Sequence, residues 1–217
     1  MMQNAIPEPV PAGPEDDVAT VIAQQRLAKR GAQYSNEVRR LLDAGLEVMR
    51  RCGTASRPRV ADIVAAAGLS NDAFYRHFAS KEALVAAILD DGSMRLASYL
   101  THQMAKASTP HEKVRSWVDG VLAQAADDEI AVSTLAVMWN GATIGNVGTS
   151  RPSTTAPLAR LLEEPFAAAG STDPRADAVL AAHAVVGMLS DFLWAQERPT
   201  RARIDHAAEF CIRAITR

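Results

Sequence analysis

Apolar residues return every third or fourth position along most of this chain, a spacing that gathers them on one face of an α-helix. The run Val38, Leu41, Leu42, Gly45, Leu46, Met49 and Cys52 is the clearest case. The alternating β-branched and aromatic runs that strands require are few, aromatics make up only 5% of residues, and alanine is abundant throughout. With 48% apolar residues in 217, the chain can bury a real core. An all-α fold is expected.

Local signals divide the chain into elements. Residues 1–17 hold four prolines and no periodicity, and read as a disordered tail. A short helix should follow and stop at Gly31, with a second beginning after Ser35 and ending at Gly53. Val60, Ile63, Val64 and Ala67 predict a two-turn helix that Gly68 closes. Ser70 can cap a short helix from Asn71 to Phe78, and Ser80 a long one from Lys81 to about Lys106. Pro110 opens another, with Val114, Trp117, Val118, Val121 and Leu122 on its apolar side. EIAVSTLAVMWN leads into GATIGNVGTSRPSTTAP, a long loop by composition. Leu158, Leu161, Leu162 and Phe166 start a helix that Pro165 should bend or end. Residues 174–196 and the stripe Ile204, Ala207, Ala208, Cys211, Ile212 and Ile215 supply the last two helices.

Several function classes find little support. Cys52 and Cys211 lie far apart with no CxxC or Cys/His spacing, so they read as core residues and no metal site or cofactor is expected. The N-terminus has acids and prolines where a signal peptide needs a basic start and an apolar run. The most apolar segment, Ala176 to Ala195, carries Asp177, His183 and Asp191, each costly in hydrocarbon, which favours a helix buried between protein surfaces. A cytoplasmic protein is expected. Nucleophilic pairs can be drawn at Ser190, Asp191 and His183, or at His206 and Cys211, but no strand-turn-helix elbow or third orienting group accompanies them. No enzyme activity is expected.

The net charge of −2 hides an asymmetry: residues 18–88 hold 11 Lys and Arg against 6 Asp and Glu, a formal +5. That basic stretch contains a two-turn helix, a glycine turn and a second short helix, the spacing of a helix-turn-helix whose second helix enters the major groove of DNA. Phe74 and Phe78, four apart, can anchor one side inward. Asn71 and Asp72 occupy the turn that meets base edges. Tyr75 and His77 can donate to phosphate oxygens, and Lys81 adds a charge at a helix N-terminus. Asp72 fits equally as an acceptor for a cytosine amino group or as a partner of the helix dipole. Arg26, Lys29, Arg30, Arg39 and Arg40 fit either a DNA-following arm or a solvated face.

RVADIVAAAGLSNDAFYRHFASKEALVAAIL resembles the DNA-binding domain of the TetR (tetracycline repressor) family, with its AGVS turn, YxHF recognition helix and sKeeL continuation; the match spans roughly residues 35–89. The resemblance implies that Tyr75, His77 and Lys81 contact phosphate and that Ser70, Asn71, Asp72 and Ala73 form the base-reading turn, with Arg76 beside them. The chain departs from the family at Met49, where an aromatic is frequent, at GTASRPR in place of GYxxTT, and at Asp72-Ala73 in place of Gly-Thr. Without the threonine cap, Arg57 or Arg59 is available to phosphate, and Asp62 can support the exposed N–H groups.

The resemblance further implies a helix-turn-helix domain with an N-terminal extension over residues 18–90 and a larger helical ligand-binding and dimerisation domain over 91–217. The expected partners are a palindromic double-stranded operator, a second copy of the chain joined through residues 174–196 and 203–216, and a small apolar effector, with no membrane. Trp117, Met138, Trp139, Asn140, His183 and Phe192 are the candidate ligand-binding residues, although core packing accounts for any one of them at least as well.

Overall fold

The structure, a computed structural model, describes residues 17–142 and 155–215. The proline-rich tail and most of the expected long loop lie outside the described residues. Every regular element described is helical: α1 Val18–Cys52, α2 Val60–Ala67, α3 Asn71–His77, α4 Lys81–Met104, α5 Pro110–Leu122, a 3-10 turn Ala123–Ala125, α6 Asp128–Ala142, α7 Ala156–Ala168, α8 Pro174–Ala195 and α9 Arg201–Ile215. The chain divides into two compact units, one ending at Arg40 and one running from Leu41 to Arg217.

In the first unit, the expected stop at Gly31 is not made. One continuous helix runs from Val18 through Gly31 and Ser35. An interior glycine costs only about 1 kcal/mol relative to alanine, and a side-chain bond from Gln33 to Glu37 at 3.2 Å braces the turn just after it. The side chains from Val18 to Asn36 are almost all exposed.

In the second unit the caps expected at α2, α3 and α4 are present. Gly68 adopts φ 62 and ψ 39, a left-handed conformation that costs glycine nothing, and Leu69 N–H reaches back to Val64 O at 2.9 Å. Ser70 Oγ accepts from Ala73 N–H, and Ser80 Oγ from Ala83 N–H, both at 3.1 Å. Gly45 marks where α1 meets α4: a Cβ there would stand 2.8 Å from Ile88 Cδ1 and 3.0 Å from Leu84 Cδ2.

The larger core is built around α5, which packs against α4, α7, α8 and α9. Val114, Trp117, Val118, Val121 and Leu122 are fully buried there with Leu100, Leu162 and Phe166. Thr109 and Glu112 form a reciprocal capping box at the start of α5. Pro165 does not end α7, which continues to Ala168. Its ring holds a helical φ at the cost of one hydrogen bond, and it is buried in line with Leu158, Leu162 and Phe166. Cys211 is buried on α9, where desolvation pushes its thiol up to about 11, as suits an inert core residue.

Candidate nucleic-acid interface

The helix-turn-helix at Val60–His77 is held by its inner face. Ile63, Val64, Ala67 and Phe74 are buried, Phe78 follows just past the end of α3, and the Phe74 and Phe78 rings stand 5.9 Å apart. The opposite face of α3 is presented outward. Asn71, Asp72, Tyr75 and Arg76 are exposed, and Tyr75 keeps 58% of its surface while its ring meets Phe74 edge to face at 5.2 Å. An apolar anchor under a polar outer face, on a helix too short to be stable alone, is the arrangement a groove-reading helix needs.

The expected residues divide into groups. Asn71 and Asp72 stand exposed on the first turn of α3, and the exposed Ser70 hydroxyl spends one lone pair on the cap while its proton stays available to an acceptor. Ala73, the last residue of the expected base-reading turn, has its methyl buried, while its N–H donates to the Ser70 cap. His77 and Lys81 are half-buried, and Lys81 Nζ stands 4.0 Å from Glu82. Arg57 is exposed.

Arg59 precedes α2 without a side-chain cap. Its Nε and Nη2 donate to the Asp62 carboxylate at 2.8 and 3.1 Å. That hydrogen bond holds the Asp62 carboxyl below its ordinary range and raises the Arg59 guanidinium. Asp62 was expected to support the free N–H groups of the helix, and its carboxylate here pairs chiefly with Arg59. Arg26, Lys29, Arg30, Arg39 and Arg40 are exposed on α1.

The second unit also holds a cavity of about 760 Å³, walled by α1, α4, the 3-10 turn, α6, α7 and α8. Of the six expected ligand residues, Met138 alone lines it. Trp117 is a core residue whose Nε1 donates to Leu158 O at 3.1 Å. Asn140 is buried and donates from Nδ2 to Ala136 O at 2.8 Å, and Trp139 beside it on α6 is half-buried and off the cavity wall. His183 is exposed on α8, with Nδ1 donating to Val179 O at 2.7 Å and Nε2 at 3.4 Å from Thr155 Oγ1. Phe192 lines a separate cavity of about 280 Å³. The wall of the larger cavity also carries the polar residues Asp43, Asp91, Arg95 and Tyr99, none of them among the expected six; Asp91 and Arg95 pair one helical turn apart on α4. Among the described residues, no group of His, Cys, Asp and Glu could hold a metal ion.

Residues 41–88 match the family model for bacterial regulatory proteins of the tetR family. No curated relative matches the chain. Solved structures share its fold: a TetR-family transcriptional regulator from Mesorhizobium loti at 14% identity, TM-score 0.63, over 84% of this chain and 96% of that one; and the fatty acid degradation regulator FadR from Bacillus halodurans at 16% identity, TM-score 0.59, over 81% and 94%. FadR from Bacillus subtilis, determined with stearoyl-CoA, matches at 14% identity, TM-score 0.53, over 82% and 96%. Residues 41–88 thus carry the helix-turn-helix domain of the tetR family of bacterial regulatory proteins, within an all-helical fold that the chain shares with such regulators over most of its length.

Proposed function

We propose that the protein is a cytoplasmic, ligand-responsive repressor that binds a palindromic operator as a homodimer and releases it when a small, largely apolar effector is bound. The observation that carries the DNA reading is the outward face of α3: Asn71, Asp72, Tyr75 and Arg76 exposed above an anchor of Phe74. Side chains on that turn can reach base edges while Tyr75, His77 and Lys81 engage phosphate.

The dimer reading draws on α8 and α9. Among the described residues α8 is the one helix long and apolar enough to cross a membrane, yet 33% of its apolar window is buried. Val179, Leu180, Trp194 and Phe210 are exposed on these two helices, an apolar surface of the kind a second copy would cover through a two-fold contact. A dimer would present two α3 helices to half-sites about 34–36 Å apart, or a multiple of that. An effector acts by binding better to the conformation that cannot bridge both half-sites.

Selection of random duplexes by the purified protein, followed by titration of the winner at two salt concentrations, tests this reading. A palindromic winner, bound by two chains with affinity that falls steeply with salt, is expected. Absence of any enriched sequence would sink the proposal. Transcription from a promoter carrying the winning site, which should fall when the protein is added, separates repressor from activator.

A further inference from the structure

The wall of the larger cavity gives its occupant a charge class. We propose that the cavity takes a hydrophobic organic cation, an apolar body with an ammonium head, and turns away fatty acids and acyl-CoA. Only the consequence for DNA rests on the reading as an effector-gated regulator; the chemistry of the occupant is argued from the cavity itself.

About 760 Å³ suits a drug-sized molecule. Leu42 and Leu46 from α1, Ile88, Leu89 and Leu96 from α4 and Met138 from α6 give an apolar interior. Among the described residues the charged lining is lopsided: the carboxylates of Asp43, Asp91, Asp127 and Glu129 against the guanidinium of Arg95. Arg95 is already engaged, 2.7 Å from Asp91 and 3.7 Å from Asp43. Arg50 reaches Glu129 at 3.0 Å from outside the lining, and counting it leaves a formal −2 among the described residues; Arg198, which lies near Asp127, is held by Asp128 at 2.6 Å. Asp127 spends Oδ1 on the N–H groups of Glu129 and Ile130, both at 3.0 Å, which leaves its other oxygen for a donor.

A carboxylate or phosphate head entering here would have to take Arg95 from its partners and leave two carboxylates facing an anion. An ammonium head breaks no pair. It meets oxygens with spare lone pairs and the ring of Tyr99, whose face attracts cations. Apolar walls around a mouth of one sign concentrate the field and raise the local concentration of the opposite ion. The same fold holds stearoyl-CoA in FadR of Bacillus subtilis, so the exclusion belongs to this chain's residues and not to the fold.

The test is isothermal titration of the full chain, without DNA, by decyltrimethylammonium and by decanoate, matched in chain length and kept below micelle formation. The ammonium should bind at least about ten-fold more tightly, since a unit charge near an excess of carboxylates gains on the order of 1 kcal/mol or more. The double variant Asp127→Asn, Glu129→Gln should weaken ammonium binding about three- to ten-fold without lowering thermal stability, because asparagine also caps helices. Met138→Trp, which fills the cavity from its wall, should abolish it. Decanoate binding as tightly as the ammonium, an unchanged ammonium affinity in the double variant, or binding that survives Met138→Trp would each overturn the proposal, as would binding of neither probe. Tight, cavity-dependent ammonium binding that leaves operator affinity untouched would uphold the charge class and instead remove the effector-gated reading.

Discussion

At Arg59 one guanidinium has two possible partners, the Asp62 carboxylate it now holds and a DNA phosphate. If phosphate is the working partner, Asp62→Asn should raise affinity for every duplex alike and steepen the salt slope by about one. An unchanged slope would take Arg59 out of the interface. Acid should act in the same direction: the Asp62 carboxyl sits below its ordinary value, so the pair persists above the unfolded carboxylate range and is lost only as pH falls through the folded value. Both side chains are largely solvated, so the stability at stake is small. Tyr75→Phe and Lys81→Ala should weaken binding to all sequences alike, whereas Asn71→Ala should relax preference at one base position. Competition titrations against single-base operator variants check this, and identical profiles from all three would move the reading turn elsewhere.

At the scale of elements, the ends of α2, α3 and α4 were legible within one or two residues because they are fixed locally, by Gly68, Ser70 and Ser80. The span of α1 was not, since a single glycine opposes a helix only weakly and the flanking residues decide. Cavity residues were illegible for a different reason: apolar and aromatic side chains carry no mark that separates Trp117, spent on the core, from Met138 on a cavity wall. Two substitutions probe the elements. Thr109→Ala breaks the capping box of α5 and should cost about 1 kcal/mol in denaturant unfolding. Gly45→Leu must push Ile88 and Leu84 aside where α1 meets α4, and should cost about 1–3 kcal/mol by the same measurement.

For the whole molecule, the apolar surface of α8 and α9 joins two proposals, since a dimer is what gives an operator its symmetry. Leu180 keeps 68% of its surface exposed, so a charge there leaves the protomer intact. Leu180→Glu should shift the protein to monomer in sedimentation and leave only single half-site affinity. A variant that stays dimeric would move the two-fold contact off this face. The hydrogen bond from Trp117 to Leu158 has a use of another kind. Leu158 lines the larger cavity while its carbonyl holds the indole, so a molecule that shifts Leu158 perturbs a fully buried fluorophore. Trp194, half exposed on α8, sits in water until another surface covers it. With the third tryptophan removed by Trp139→Phe, emission from the two should therefore report occupancy and assembly separately, further Trp194→Phe and Trp117→Phe substitutions assigning each signal without an added label.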